Sequence, residues 1–202
     1  MNSLPPTQPT LLVRIRNAHD HEAWTRFVDL YAPLVYGFLR KRGLQDADAA
    51  DLTQDVLRQV AAAVNRLEYD SQRGSFRGWL LTIVQNRLTT YWRREPNRER
   101  PGGDTEAYQR LNDIPQPGSL DASAEWDADY ERQLFHYAAN IVKQDFTPTT
   151  WLAFWQTAVD GRPGKDVAES LQLTLAAVYL AKGRVMNRIK DQVKQLVGET
   201  DD

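Results

Sequence analysis

The stretch Glu68–Arg94, EYDSQRGSFRGWLLTIVQNRLTTYWRR, joins a polar turn to a helix with strong apolar periodicity. The turn ends at Ser75, a residue type that caps helix N-termini well. Apolar side chains then recur at helical spacing: Phe76, Trp79, Leu80, Ile83, Val84, Leu88 and Tyr91. Polar side chains form a stripe on another side of the same helix: Asn86, Thr89, Thr90 and Arg93. The stretch therefore predicts a helix with one face for a core and one face for a ligand.

The residue types in this stretch match those that hold an unstacked nucleic-acid base. Such a base is held by stacking and by hydrogen bonds to its edge, while cations follow the phosphates. The candidates for stacking are Tyr69, Phe76 and Trp79. The candidates for reading an edge are Asp70, Arg73 and Ser75. The alternative is that the aromatic residues only fill a core, and that Arg93 and Arg94 complement the helix dipole.

The whole chain has the composition of a soluble globular protein, with 202 residues, 42% hydrophobic and 26% charged. It contains no cysteine, which excludes disulfides and thiolate metal sites. The first 20 residues lack the apolar centre of a signal peptide. No apolar run approaches the roughly 20 residues that cross a bilayer. We therefore expect a cytoplasmic protein without membrane insertion.

The charge is distributed unevenly although its sum is only −2. Residues 87–100 hold five arginines against two glutamates, a net +3. Residues 182–194 hold five basic residues against one aspartate, a net +4. Residues 101–131 hold eight acids against one arginine, a net −7. This pattern predicts two nucleic-acid contacts separated by a segment that avoids or imitates DNA.

Periodicity predicts an all-α fold on both sides of the opening stretch. One helix runs from about Asp20 to Arg42, with a kink expected at Pro33, and a second runs from about Asp48 to Leu67. With the helix after Ser75 they form a compact bundle. Prolines and glycines then interrupt an acidic stretch to about Ser123, which is read as a linker. Helices resume through Trp126–Val142 and from Thr147, followed by Pro148 in the first helical position.

The C-terminal part has the dimensions of a helix-turn-helix. A short helix, Lys165–Leu171, precedes a three-residue turn and a second helix capped by Thr174. Its expected groove-facing residues are Thr174, Ala176, Ala177, Tyr179, Lys182, Arg184 and Arg188. The alternative is a plain helical hairpin. Gly183 inside the second helix lowers its propensity by about 1 kcal/mol.

Taken together, these motifs resemble an extracytoplasmic-function (ECF) sigma factor of the sigma-70 family. The resemblance covers nearly the whole chain and rests on LYAPLVYGFLRKRGL (residues 30–44), DAADLTQDVL (48–57) and RGSFRGWL (73–80), with Ile83, Asn86 and Arg93–Arg94 following. It implies two small helical domains joined by an acidic linker containing Pro and Gly. The implied ranges are 1–96 for a region 2-like domain, 97–124 for the linker and 125–202 for a region 4-like domain with the helix-turn-helix.

The resemblance also implies roles for individual residues. Docking on the polymerase falls to Asp51, Gln54, Asp55 and Arg58, which otherwise read as a solvated helix face. Recognition and melting of the minus-10 element fall to Tyr69, Asp70, Arg73, Ser75, Phe76, Trp79, Asn86, Arg87, Thr90, Arg93 and Arg94. The minus-35 element falls to the groove-facing residues of the helix-turn-helix. The chain departs from the family pattern at Thr90, where many relatives carry an acid, and at Tyr179–Ala181, where many carry cationic residues.

The partners implied are core RNA polymerase and promoter DNA, with an anti-sigma protein as a third that no residue identifies. No cofactor and no catalytic residue is expected. A metal-dependent hydrolase is disfavoured, because the aspartates of residues 46–55 cluster at one helix start and His136 has no evident partner nearby. A stand-alone helix-turn-helix regulator would leave Glu68–Arg94 without a task. A protein-interaction adaptor remains a further alternative, since the recognition helix is atypical.

Overall fold

The computed structural model describes residues 9–64, 76–94 and 120–197. The described residues form helices and no strand, which confirms the all-α prediction for this part of the chain. The helices are α1 (Pro9–Arg14), α2 (His21–Lys41), α3 (Asp46–Ala63), α4 (Phe76–Arg94), α5 (Leu120–Val142), α6 (Pro148–Ala158), α7 (Gly164–Ser170) and α8 (Leu175–Val197). The chain divides into two compact units, Met1–Gln133 and Leu134–Asp202.

An aromatic cluster forms the centre of the N-terminal unit. Phe27 and Tyr31 of α2 are fully buried, and their rings meet Phe76 of α4 with centroid distances of 5.9 Å and 5.5 Å. Both contacts are edge-to-face, the arrangement that ring quadrupoles favour. Val56 and Val60 of α3 are also fully buried. The predicted bundle of three helices is therefore present, with α4 held directly against α2.

The second helix is continuous although it contains a proline. Pro33 lies inside α2, which runs unbroken from His21 to Lys41. A proline has no N–H, so the carbonyl four residues earlier, that of Asp29, loses its helical partner. The side-chain amide of Gln133 donates to this oxygen at 3.4 Å. The proline is thus accommodated within the helix, and a side chain distant in sequence supplies the replacement hydrogen bond.

The first half of α5 belongs to the N-terminal unit and packs on α2. Trp126 is buried against Phe38 at a centroid distance of 5.3 Å, and Tyr130 stacks on Tyr31 at 5.9 Å. Because α5 begins at Leu120, its first turn falls within the segment 97–124 that the sequence assigns to the linker. The remainder of that segment, residues 97–119, lies outside the described residues.

Ion pairs surround this aromatic contact. Lys41 binds Asp129 at 2.7 Å, Arg42 binds Glu125 at 2.9 Å, and Arg77 lies 3.5 Å from Asp127. Burial alone raises the pKa of Asp129, but hydrogen bonds from Lys41 and Arg132 outweigh it and lower that pKa below its ordinary value. Three of the eight acids of residues 101–131 thereby lie beside Lys41, Arg42 or Arg77.

The C-terminal unit has a core of its own. Ala138 and Val142 of α5 pack with Phe154 of α6 and with Val185 and Ile189 of α8. A second cluster joins α6, α7 and α8 through Ala153, Val167, Ala168, Val178 and Ala181. The predicted N-caps are present, since Thr147 accepts from the N–H of Thr150 and Thr174 from that of Ala177. These contacts hold α7 and α8 as two helices joined by the four-residue turn 171–174.

Candidate nucleic-acid interface

The outer face of α3 carries the residues predicted to dock on a protein partner. Asp51, Gln54 and Arg58 are exposed, and Asp55 is partly exposed and paired with Arg58. The opposite face of the helix is buried through Leu52, Val56 and Val60. All four predicted docking residues therefore share one solvent-facing surface.

The polar stripe of α4 is only partly available to a ligand. Asn86 and Arg93 are exposed. Thr90 donates its hydroxyl to the carbonyl of Asn86 at 2.8 Å, within the helix. The Nε of Arg87 donates to the side-chain oxygen of Gln59 on α3 at 2.7 Å. Asn86 and Arg93 are thus the most accessible of these side chains, while Arg87 braces α4 against α3.

The aromatic residues at the start of α4 divide between core and surface. Phe76 is 2% exposed and lies in the aromatic cluster of the N-terminal unit, so its ring has no free face for stacking on a base. Trp79 is half-buried beside Phe76, with a centroid distance of 5.4 Å. The other residues predicted to capture a base lie outside the described residues: Tyr69, Asp70, Arg73 and Ser75. The side chain of Arg94 lies outside them as well.

Some buried positions of α4 are not predicted by the apolar spacing of the sequence. Trp92 is 3% exposed, whereas the predicted core residue Tyr91 is only partly buried. Two polar side chains, Arg77 and Gln85, are also buried. The guanidinium of Arg77 lies over the ring of Tyr130 at 4.6 Å. The sequence around Arg77 does not predict this contact, because Tyr130 lies far away along the chain.

Helix α8, the predicted recognition helix, presents a mixed surface. Among its predicted groove-facing residues, Ala176, Tyr179 and Arg184 are exposed, and Lys182 is half-buried. Arg188 already has a partner within the protein, because its guanidinium pairs with Asp145 at 3.0 Å. In residues 175–187, the exposed positions outside the predicted groove-facing set are Leu175, Leu180, Gly183 and Asn187. The helical period already placed Leu180 and Asn187 opposite Val185 and Ile189, so this signal was present in the sequence.

Two features are absent from the described residues. Across residues 9–64, 76–94 and 120–197, no three side chains of the His, Cys, Asp or Glu type converge as a metal site would require. No helix among the same residues is long and apolar enough to span a membrane.

Comparisons with known proteins show what the N-terminal unit resembles. Residues 27–98 match the family model for sigma-70 region 2. The chain is also 34% identical over 77 residues to the ECF RNA polymerase sigma factor RpoE of Cereibacter sphaeroides, a match that covers 38% of this chain and 41% of that protein. Residues 27–98 are therefore similar to sigma-70 region 2. The matched region runs from α2 to beyond α4, so both the α3 face and the polar stripe of α4 lie inside the part that resembles region 2.

The match to the sigma-70 family has a clear limit along the chain. The aligned part spans less than half the length of the relative from Cereibacter sphaeroides. Helices α5 to α8 lie beyond the residues that match region 2. A DNA-binding role for the C-terminal unit is therefore argued from the pair of helices α7 and α8, their N-caps and their basic residues.

Proposed function

We propose that this chain is an ECF-type sigma factor, a non-catalytic protein that binds core RNA polymerase and directs it to promoter DNA. The observation that carries the proposal is the match of residues 27–98 to sigma-70 region 2. In this proposal the outer face of α3 docks on the polymerase. Its alternating charges suit a complementary charged surface, and they are not needed for packing inside the unit.

Recognition of the minus-10 element is assigned to the turn Glu68–Ser75 and to the polar stripe of α4. Asn86 offers an amide for a base edge or a phosphate, and Arg93 offers a cation. Trp79 keeps an accessible ring surface beside the core, whereas Phe76 supports the helix from below. Unstacking a base costs a few kcal/mol, which base capture and phosphate contacts offset.

Contact with duplex DNA upstream is assigned to α8. A recognition helix of this kind lies in the major groove, with residues near its N-terminus on the bases. Thr174, Ala176 and Tyr179 occupy that end, and Lys182 and Arg184 follow within three turns. The two contacts, one melted and one double-stranded, fix the register of the polymerase on the promoter.

Transcription in vitro tests the proposal directly. Purified chain is added to core RNA polymerase with a library of genomic fragments, and the 5′ ends of the transcripts are mapped. We expect transcripts that start at a set of sites sharing two short elements and that are absent with core enzyme alone. Transcription no different from that of core enzyme would overturn the proposal.

A stand-alone helix-turn-helix regulator is the second candidate. It is favoured by one observation, namely that α6, α7 and α8 have a core of their own. Footprinting of duplex DNA separates the two functions. A regulator protects a specific site as the free chain, whereas the proposed sigma factor protects promoter DNA only together with core polymerase.

A further inference from the structure

The outward side of α8 carries large apolar residues in contact with solvent. Tyr179 is 57% exposed and Leu180 is 60% exposed. The buried residues of the helix, Val178, Ala181 and Val185, define the opposite side. At 100° per residue, five positions of residues 176–187 fall towards the side that faces away from the core, and Lys190 and Lys194 continue that side further along the helix. We call the five positions the outer stripe: Ala176, Tyr179, Leu180, Gly183 and Asn187.

The charges around the outer stripe favour a polyanionic partner. Residues 175–190 contain no carboxylate, and the first acid after them is Asp191. Lys182 and Arg184 flank the stripe within the same two turns. An apolar centre with cations at its sides matches a major groove, where bases lie in the middle and phosphates line both edges. Exposed apolar residues grouped in this way also mark interaction sites in general.

The position of Tyr179 is supported from beneath. A Cβ added to Gly164, at the start of α7, would lie 3.1 Å from the hydroxyl oxygen of Tyr179 and 3.2 Å from the Cδ1 of Leu175. The tyrosine ring therefore lies close over the backbone of α7, at a place where a side chain would crowd it. A ring held in this way loses little rotamer freedom when a ligand binds.

The chemistry of the stripe restricts which bases it can read. Guanine is read chiefly by Arg or Lys, and the stripe contains neither. Among the unmodified bases, thymine alone presents an apolar group in the major groove, its C5-methyl. Tyr179 and Leu180 offer apolar surface to that methyl, and Gly183 leaves room for the DNA backbone or base to approach. Nothing lies within 4 Å of a Cβ placed on Gly183.

We propose that the outer stripe reads thymine methyl groups in the upstream promoter element, with Tyr179 and Leu180 as the specificity-determining residues. The proposal rests on the promoter-binding role given to α8 above. It assigns this chain an upstream element selected by methyl contacts, with Lys182 and Arg184 holding the phosphates.

The test removes single methyl groups from the DNA and leaves the protein unchanged. Complexes of the chain with core polymerase are titrated against a promoter found in the transcription library, in which each upstream thymine is replaced in turn by deoxyuridine. Deoxyuridine differs only by the missing C5-methyl. We expect one or two positions at which affinity falls about fourfold, as loss of one buried methyl implies. Equal affinity for every substituted duplex would overturn the proposal.

Protein variants then assign the methyl contacts to side chains. Tyr179→Ala and Leu180→Ala should each abolish the thymine-over-deoxyuridine preference at one position. Lys182→Ala is the matched control: it should weaken binding to both duplexes equally and leave the preference intact, because a phosphate contact carries no base information. A loss of polymerase binding in Tyr179→Ala or Leu180→Ala would identify the stripe as a protein-docking face and overturn the proposal.

The outcomes also separate this proposal from the function on which it rests. If transcription is promoter-specific but insensitive to deoxyuridine, the methyl-reading proposal is wrong and the sigma-factor proposal is unaffected. Absence of promoter-specific transcription removes both.

Discussion

At the scale of single residues, Asp20 links the N-terminal helix to the bundle. Its carboxylate accepts from the N–H of Ala23 at 3.0 Å, which caps α2, and from Arg14 of α1 at 2.8 Å and 2.9 Å. The hydrogen bond from Arg14, followed by that from Ala23, lowers the pKa of Asp20 to about 2. One carboxylate therefore caps one helix and holds another against it.

The depressed pKa of Asp20 predicts a pH-dependent contribution to stability. In the unfolded chain an aspartate titrates near about 3.9, so the charged form is favoured by folding. Its contribution is complete above about pH 4 and is lost as the pH falls towards 2. Asp20→Asn keeps a capping oxygen and loses the charge. We expect the thermal midpoint of the variant to lie below that of the natural chain at pH 7, and the gap to close at acid pH.

Thermal unfolding at a series of pH values measures this gap. Asp29→Asn removes an exposed carboxylate from the same helix and serves as the control. The control should differ from the natural chain by an amount that changes little between pH 4 and 2. A gap for Asp20→Asn that persisted unchanged to pH 2 would show that the ion pair with Arg14 contributes nothing.

At the scale of elements, the first half of α5 is expected to stabilise the N-terminal unit. Trp126 is 1% exposed and packs on Phe38. Truncating a buried tryptophan costs about 3–5 kcal/mol. We expect Trp126→Ala to lower the free energy of opening of α2 by this amount, measured by native-state hydrogen exchange of its amides in the full chain.

Two controls accompany the Trp126 variant. Glu131→Ala alters an exposed residue of the same helix and should leave exchange from α2 unchanged. The amides of α6 and α7 report on the C-terminal unit and should be unaffected by Trp126→Ala. Unchanged protection of α2 in Trp126→Ala would mean that this half of α5 only connects the units.

The helices of the N-terminal unit show which features the sequence predicts and which it does not. Periodicity located α2 and α3, because each has one apolar face and one polar face. Most of the predicted core positions of α4 are also buried: Phe76, Leu80, Ile83, Val84 and Leu88. Periodicity missed Leu81 and Trp92, because buried residues lie on several sides of α4 and no single stripe separates core from surface. In such a helix, packing against neighbouring helices decides whether Tyr91 or Trp92 is buried.

The ion pairs of α5 were hidden for a different reason. Glu125 and Asp129 belong to the acidic segment 101–131, which the charge pattern assigns to avoidance or imitation of DNA. Their partners Lys41 and Arg42 lie more than 80 residues earlier in the chain. Likewise, the ion pair of Arg188 with Asp145 is a tertiary contact that no spacing rule reveals. The exposed residues of the candidate site could be predicted from helical faces. The residues engaged in ion pairs with other helices could not.

At the scale of the whole molecule, the proposed tasks fall on surfaces that share no residue. Polymerase docking is assigned to α3, minus-10 contact to α4 and the turn before it, and upstream contact to α8. Tasks placed on separate surfaces can be removed one at a time. Substitutions on α3 and on α4 should therefore impair different steps of transcription initiation.

Two charge-altering variants of the N-terminal unit test this separation. Asp51→Arg with Asp55→Arg should weaken association with core polymerase at least about tenfold, because like charges placed across an interface cost several kcal/mol. Asn86→Ala with Arg93→Ala should leave association unchanged and reduce promoter opening by at least about 30-fold, since two contacts are lost and each is worth about 1–3 kcal/mol. Fluorescence anisotropy measures the first step, and permanganate reactivity of unpaired thymines measures the second.

A matched control accompanies these variants. Asp29→Arg with Glu131→Arg changes the charge by the same amount at exposed positions outside both surfaces, and it should alter neither step. If the control weakens polymerase association as much as the α3 variant does, net charge rather than a docking face governs binding. If the α3 and α4 variants impair both steps alike, the two surfaces act as one, and docking and melting are not separable in this protein.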